Sequence, residues 1–346
     1  MKVYLTNFHY KKQYTFFDNI VKGILFIPSI VYGCIASTRN FLYKKNIFKS
    51  YKPNVYTISV GNLTTGGTGK TPIAAQIANY FNSKGKKTAV ISRGYGGKLN
   101  NKEVNVITDG ETIFFDASQS GDEPYWLAKN CPQTVILTCA SRIKSAKYAQ
   151  EKFNCDVIIL DDGYQHQKLQ RDLNILVTDS EKQFSNGRVL PLGALREPMS
   201  GINRADKIIV VNKNFESENA QIYKNELEKK YNKPVYVCNM VPEKIYEIQS
   251  EDLLKSGSKI FAFSAIGQPQ QFYDFLKDYK ITGTRDFPDH HLYTQNDVET
   301  LKNTRSQIFV TTEKDAVKLR ELDLSGIKIY ALKLKPSLDM EGLMND

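Results

Sequence analysis

The chain is predicted to have an α/β fold in which helices cover a mostly parallel sheet, and two observations predict it. From residue 55 onward, short β-branched runs alternate with helical patterns, which is typical of parallel strands joined by crossover helices. The 346 residues include 41% hydrophobic and 24% charged side chains, the composition of a folded protein of about two domains. We predict an N-terminal segment at 1–52, a main α/β domain at 53–240 and a smaller C-terminal α/β domain at 241–346.

The N-terminal segment contains a predicted hydrophobic helix at 16–38. Residues 23–38 carry no charge, but this stretch is shorter than the roughly 20 apolar residues that span a bilayer. Basic side chains able to meet anionic head groups follow it: Arg39, Lys44, Lys45, Lys49 and Lys52. We predict a helix that lies in a membrane interface. A single membrane span and a helix packed on the main domain are the alternatives.

Strands and helices alternate through both predicted domains. In the main domain the strands are predicted at 55–60, 87–92, 104–108, 134–138, 156–160, 174–178 and 207–212, and the helices at 71–84, 122–130, 141–152 and 216–231. In the C-terminal domain the strands are predicted at 259–264, 281–286, 307–311 and 327–333, and the helices at 268–279 and 294–304. Residues 241–257 are polar, have no clear period and are predicted to connect the domains.

A glycine-rich turn between the first strand and the first helix of the main domain predicts a nucleotide site. Backbone N–H groups in such a turn wrap a phosphate at the helix N-terminus. The groups expected to do so belong to Gly66, Gly67, Thr68 and Gly69. Lys70 is expected to reach the β- and γ-phosphates of a nucleoside triphosphate, and the Thr71 hydroxyl to bind Mg²⁺. Thr64 stands where the G-x-x-x-x-G-K-[ST] pattern has its first glycine, but the strand–turn–helix context predicts a P-loop NTPase-type domain.

Charged residues follow other strands at the same predicted edge of the sheet. Asp161 and Asp162 follow the strand at 156–160. One of them is predicted to bind Mg²⁺ directly or through water, and the sequence does not show which one. Arg93 lies in a glycine-rich turn after the second strand and is predicted to contact phosphate. Asp122 opens a helix, where a carboxylate also favours the helix N-terminus without any catalytic role.

The net charge of +10 favours an anionic partner, which is a nucleotide, a nucleic acid or an anionic membrane surface. The lysines are dispersed and the sequence has no zinc-finger or RNA-binding aromatic pattern, so we expect no nucleic-acid partner. The five cysteines include no C-x-x-C pair, which predicts neither a zinc site nor a disulfide framework and suits a reducing cytoplasm.

Seven motifs, taken in order, resemble the tetraacyldisaccharide 4′-kinase family of lipid A biosynthesis. They are Val60–Pro72, Ser92–Gly96, Gly121–Pro124, Asp161–His166, Pro191–Pro198, Phe287–His290 and Thr312–Asp315. The resemblance implies transfer of the ATP γ-phosphate to the 4′-hydroxyl of an acylated glucosamine disaccharide 1-phosphate, with Mg²⁺. It also implies that the protein acts at the anionic surface of the inner membrane, on the cytoplasmic face.

The resemblance further assigns roles to residues. Lys70 and Asp122 are expected to be catalytic, Asp122 as general base with His290 paired to it. Arg196 and Glu197 are expected to face the substrate or the nucleotide. His291 is an extra histidine, so the resemblance leaves open which imidazole acts. The alternative function is a membrane-associated P-loop ATPase switch of the partitioning or transport type, which commonly has lysine where this chain has Thr65.

Overall fold

The computed structural model describes residues 8–11, 15–213, 218–266, 269–288, 291–320 and 322–345. The chain divides into two compact units. The first comprises Met1–Asn212, Glu216–Asn239 and Leu338–Asp346, and the second comprises Lys213–Phe215 and Met240–Ser337.

The hydrophobic helix α1 spans Phe16–Lys44, six residues beyond the predicted end at 38. A capping box begins it, because the Thr15 side chain accepts from the Asp18 backbone N–H and the Asp18 side chain accepts from the Thr15 backbone N–H. Pro28 lies inside the helix, and only Asp18, Ser29 and Ala36 of its residues are buried. By length and composition α1 is able to cross a membrane.

The strands of the first unit are β1 Tyr56–Gly61, β2 Thr88–Ser92, β3 Asn105–Thr108, β4 Val135–Thr138, β5 Val157–Asp161, β6 Leu173–Asp179, β7 Lys207–Asn212 and the start of β8 Val235–Glu247. Their order in the sheet is β8-β7-β6-β1-β5-β2-β4-β3. The neighbouring strands pair in parallel. The exception is the antiparallel edge pair β3–β4. The predicted mostly parallel α/β sheet is therefore confirmed.

The helices of the first unit cover this sheet. They are α2 Lys70–Ser83, α3 Ala117–Ser120, α4 Asp122–Asn130, α5 Arg142–Phe153, a 3₁₀ helix at Met199–Arg204 and α6 Asn219–Tyr231. Every residue of β2 and β5 is buried, as is the inner face of α2 at Ile73, Ala74 and Ile77. Burying a large aliphatic side chain of this kind contributes about 1.5–3 kcal/mol. The packing fixes the ends of β1 and β5 side by side, with Val60 opposite Asp161.

The second unit is a smaller α/β unit, built from β9 Lys259–Ser264, α7 Pro269–Asp274, β10 Lys280–Asp286, α8 Gln295–Lys302, β11 Ile308–Thr312, α9 Glu313–Leu319, β12 Lys328–Ser337 and the end of β8. The strand order is β10-β9-β11-β12-β8. The strands β9, β10, β11 and β12 pair in parallel. The predicted connector at 241–257 was wrong in its first part, because β8 continues through it to Glu247.

The last helix, α10 Met340–Asn345, belongs to the first unit, although we assigned it to the C-terminal domain. Lys207 Nζ donates to the Leu343 carbonyl at 2.8 Å, and the Tyr236 hydroxyl donates to the Gly342 carbonyl at 3.2 Å. These bonds hold the end of the chain against β7 and β8. The predicted domain boundaries are limits of units expected to fold independently, and they stay predictions.

Candidate active site

The phosphate loop joins β1 to α2 and has the backbone conformation that an anion site needs. Gly69, with φ of 85°, is left-handed and caps α2, and Gly66 has φ of 104°. A residue with a Cβ is strained in this region, so glycine is required there. Lys70 is then the first residue of α2, and the N–H groups at the positive end of the helix dipole face the loop.

A second loop, residues 188–198, lies on the phosphate loop. The Thr65 N–H donates to the Ala194 carbonyl at 2.7 Å, and the Arg196 N–H donates to the Leu63 carbonyl at 2.7 Å. These bonds bring the Arg196 side chain to the end of β5. Its guanidinium donates to both carboxylate oxygens of Asp162 at 2.9 and 2.7 Å. Two predicted site residues far apart in sequence are thus in contact.

The adjacent carboxylates Asp161 and Asp162 have different surroundings. Asp161 is 2% exposed, its Oδ2 accepts from the Thr71 hydroxyl at 3.0 Å, and its Oδ1 has no hydrogen-bond partner in the described part of the chain. Burial, and then the charge of Glu123, raises the pKa of Asp161 to about 7. An open oxygen on a buried carboxylate beside a hydroxyl is what a hard cation needs.

Asp162 instead has two cations as partners. Besides Arg196, Lys70 Nζ lies 3.7 Å from Asp162 Oδ1. Burial alone raises the pKa of Asp162, but the charges of Lys70 and Arg196 outweigh it and the pKa lies below its usual value. The sequence left the choice between the two aspartates open, and the geometry favours Asp161 as the metal ligand. No group of three or more His, Cys, Asp and Glu side chains gathers at a metal position among the described residues.

Asp122 lies at the N-terminus of α4, exposed, and two glycines fix the turn that presents it. A Cβ on Gly121 would lie 2.7 Å from the Tyr95 carbonyl oxygen, and one on Gly97 would lie 2.6 Å from the Gln119 carbonyl oxygen. The turn after β2 and the turn before α4 therefore pack backbone against backbone. Arg93 lies in the same turn as Gly97 and is exposed.

Sequence reasoning did not single out Glu123, which follows Asp122 in α4. Loss of solvent and the charge of Asp162 raise its pKa, while Lys70 and Arg196 oppose the rise, so its carboxylate lies near this cluster of charges. The motif Gly121–Pro124 contains two adjacent carboxylates, and this pair is the sequence feature that could have drawn attention to Glu123.

Arg142, the first residue of α5, was also missed, and nothing in the sequence marks it. It is 5% exposed, and its guanidinium donates to the Cys139 carbonyl at 3.2 Å. Burial lowers its pKa, and the charge of Asp162 opposes that effect. Burial and the charge of Arg142 lower the pKa of His166 to about 4, so that imidazole is neutral at pH 7.

Glu197 is fully buried, and both of its carboxylate oxygens accept hydrogen bonds. The donors are Gln165 at 2.9 Å, Arg204 at 2.8 Å and Asn40 at 2.6 Å. Burial raises the pKa of Glu197, but Arg204 and the other donors outweigh burial and lower it. In this arrangement Glu197 has no open face for a substrate, in contrast to the expectation that it faces one.

The predicted partner of Asp122, His290, lies outside the described residues. The neighbouring His291 is described within the second unit. Its ring stacks on Phe287 with a centroid distance of 4.9 Å, and its Nε2 lies 3.0 Å from Asp297 Oδ2. His291 is therefore engaged in contacts of its own unit.

A parallel α/β sheet with a glycine-rich loop before a Lys-Thr helix start, and an aspartate at the end of the neighbouring strand, defines a P-loop nucleotide-binding protein. The chain belongs to the family described as tetraacyldisaccharide-1-P 4′-kinase, whose family model matches residues 21–345. Members of this family are ATP-dependent kinases. The resemblance inferred from the seven motifs is thereby confirmed.

Individual relatives agree with the family match. The tetraacyldisaccharide 4′-kinase of Desulfatibacillum aliphaticivorans is 36% identical over 331 residues, which cover 90% of this chain and 88% of the relative. That of Halothermothrix orenii is 34% identical and covers 100% of this chain and 97% of the relative. The crystal structure of LpxK from Aquifex aeolicus, in complex with ATP, is similar with a TM-score of 0.74 and 31% identity, covering 94% of this chain and 97% of that one.

Proposed function

We propose that this chain transfers the γ-phosphate of ATP to the 4′-hydroxyl of a tetraacyldisaccharide 1-phosphate in lipid A biosynthesis. One observation carries the proposal: Lys70 and Thr71 follow a phosphate loop and lie beside the open carboxylate of Asp161, in a chain that belongs to this kinase family. The loop accounts for the nucleotide donor. The names of the relatives supply the acceptor.

We assign Mg²⁺ to Thr71 and Asp161. A hydroxyl and a carboxylate are hard oxygen ligands, and Mg²⁺ would take its remaining ligands from ATP phosphate oxygens and water. Two observations support the assignment: the contact of 3.0 Å between the two side chains, and an Asp161 Oδ1 that has no hydrogen-bond partner among the residues the structure describes. Asp162 is assigned to holding Lys70 and Arg196. When bound, Mg²⁺ neutralises the charge that develops on the phosphates during transfer.

In the proposed reaction the 4′-oxygen forms a bond to the γ-phosphorus while the bond from that phosphorus to the bridging oxygen breaks, and ADP keeps the electron pair. Lys70 and the backbone N–H groups of residues 66–69 hold the phosphates in line, which is most of what phosphoryl transfer requires. Asp122 accepts the proton of the hydroxyl. Its exposed position at the start of α4 supports this role. His290 is retained as its partner on the family resemblance alone.

We assign Arg93 and Arg196 to contacts with phosphate or substrate. The Arg196 side chain is 27% exposed, and a phosphate oxygen offers its guanidinium the same bidentate geometry as the Asp162 carboxylate. Glu197 is assigned an indirect role through its neighbour Arg196, because its own carboxylate is enclosed.

We also propose that the protein works at the cytoplasmic face of the inner membrane with α1 in the bilayer. The most apolar window of α1 has a mean hydropathy of 1.8, and only 11% of that window is buried. The net charge of +10 favours the anionic surface. Anchoring of α1 there would keep the protein at the membrane that holds its lipid acceptor.

The test is to incubate the full chain with ATP, Mg²⁺ and a tetraacyldisaccharide 1-phosphate in detergent micelles and to weigh the lipid by mass spectrometry. We expect the lipid to gain one phosphate, and Lys70→Ala to abolish the gain. A wild-type protein that adds no phosphate would reject the proposal. ATP hydrolysis at the same rate with and without the lipid would favour the ATPase switch instead.

A further inference from the structure

Helix α1 is attached to the body of the first unit by hydrogen bonds along one side. The Ser29 hydroxyl donates to the Val189 carbonyl and the Tyr32 hydroxyl to the Arg196 carbonyl, both at 2.8 Å. Further along, Asn40 Nδ2 donates to Glu197 Oε2 at 2.6 Å. Residues 29, 32, 36 and 40 share one helix face by their spacing of three and four. Two of the three bonds end on the adjacent residues Arg196 and Glu197.

The amide of Asn40 is held at both ends, so its orientation is determined. Its Oδ1 accepts from Gln167 Nε2 at 2.6 Å, which leaves Nδ2 to face Glu197. Glu197 in turn accepts from Gln165 at 2.9 Å, and Gln165 Nε2 also donates to the Asn62 carbonyl at 2.8 Å. This network joins α1 to the entrance of the phosphate loop and to the loop that follows Asp161 and Asp162.

Arg196 is the second residue of the body that α1 contacts next to the nucleotide site. Its backbone lies between the Tyr32 hydroxyl, bonded to its carbonyl, and the Leu63 carbonyl, bonded to its N–H at 2.7 Å. Its side chain holds Asp162, which also pairs with Lys70. A shift of α1 therefore acts on the backbone from which the guanidinium of Arg196 projects.

We propose that Asn40 is a positioning residue, which couples the placement of α1 to the Arg196–Asp162 pair in the nucleotide site. The inference rests on the proposed assignment of that pair to the nucleotide site. If a nucleotide binds more tightly when Arg196 is in the position seen here, nucleotide binding should also stabilise the contact of α1 with the body. By thermodynamic linkage, docking of α1 should strengthen nucleotide binding by the same factor.

The first experiment measures hydrogen–deuterium exchange of the full chain in detergent micelles, with and without MgATP. In the wild type we expect MgATP to slow backbone exchange in residues 33–44 at least threefold. Asn40→Ala should remove this effect. Ser29→Ala is the control, because it removes a bond between α1 and the body that does not reach Glu197, whereas Asn40→Ala removes the bonds to Glu197 and Gln167. Equal slowing in Asn40→Ala, or none in the wild type, would overturn the coupling.

The second experiment distinguishes a positioning role from a loss of structure by exchanging the donor and the acceptor of the hydrogen bond between Asn40 and Glu197. Asn40→Asp sets a carboxylate against the buried Glu197 and should lower kcat at least tenfold. Adding Glu197→Gln lets the new glutamine donate to the new aspartate, and should recover at least threefold of that loss. An activity of Asn40→Asp equal to that of Ser29→Ala, or no recovery in the double variant, would contradict the proposal. A wild type without lipid phosphorylation would reject the proposed function, while the exchange measurement would still decide the coupling.

Discussion

Replacing Asp161 by asparagine should make the protein more stable and, at the same time, inactive. Asp161 is 2% exposed, and burial raises its pKa from 3.8 to about 7. A carboxyl whose folded pKa lies above its unfolded pKa destabilises the fold as pH rises between the two values, because it ionises more readily in the unfolded chain. This destabilisation is on the order of 4 kcal/mol at pH 8 and about 2 kcal/mol at pH 5. Asparagine carries no charge and therefore avoids this destabilisation, and its side-chain oxygen can still accept the hydrogen bond from the Thr71 hydroxyl.

Asp162 is the matched comparison, because the same substitution one residue further on should have the opposite sign. Lys70 and Arg196 hold the pKa of Asp162 below its usual value. Its ionised form therefore contributes stability above the unfolded pKa, and that stability is lost as pH falls through the folded pKa. Asp162→Asn leaves both cations without their partner and should destabilise the fold at pH 8. Its side chain is 37% exposed, so solvent screening makes this effect smaller than the one at Asp161.

Urea titrations at pH 8 and pH 5, followed by the fluorescence of Trp126, measure both effects in the ligand-free protein. At pH 8 the midpoint of Asp161→Asn should lie above that of the wild type, and the advantage should fall by about half at pH 5. MgATP should stabilise the wild type but not Asp161→Asn. A variant less stable than the wild type at pH 8, or a difference independent of pH, would refute the account of Asp161 as a carboxylate whose burial raises its pKa.

Three further predictions test other parts of the site. Thr71→Val keeps the side-chain shape but removes the hydroxyl, and should raise the Mg²⁺ concentration for half-maximal rate roughly 10–100-fold in a metal titration. Asp122→Asn should lower kcat about 10²–10⁴-fold with little change in the KM for ATP, and a wild-type rate would exclude Asp122 as general base. Replacing Ile24 and Ile27, which are 68% and 69% exposed on α1, by serine should reduce flotation with anionic vesicles. Serine at Ile222, 54% exposed on α6, should leave flotation unchanged.

Most of the central sheet could be predicted from the sequence, because its strands are buried on both faces. β5 and β7 each contain four consecutive apolar residues, at 157–160 and 208–211, and their predicted positions agree with the structure within one residue. β8 was missed because only part of it is buried and Pro242 interrupts its pattern. The helix α9 was missed because it has only seven residues, too few for a periodic pattern.

The sequence was sufficient to predict at which edge of the sheet the candidate site lies, because the carboxyl ends of parallel strands meet at one edge. The division of roles between Asp161 and Asp162 did not follow, because it depends on Arg196, which lies 34 residues further along the chain. The burial of Glu197 was equally inaccessible, since one of its donors is Asn40 on α1. Sequence patterns report local preference, whereas these environments arise from contacts between distant segments.

The enclosed carboxylate of Glu197 has a consequence for the order in which the protein folds. Its donor Arg204 lies close to it along the chain, but Gln165 and Asn40 lie 32 and 157 residues away, so the charge is fully paired only after these distant segments have met. Such long-range closures form late, since each carries a loop entropy that local contacts do not. During synthesis α1 is made before these segments, and the bond from Asn40 must wait until the chain has passed residue 197. We therefore expect the bond between Asn40 and Glu197 to form after the shorter-range bonds that Glu197 accepts from Arg204 and Gln165.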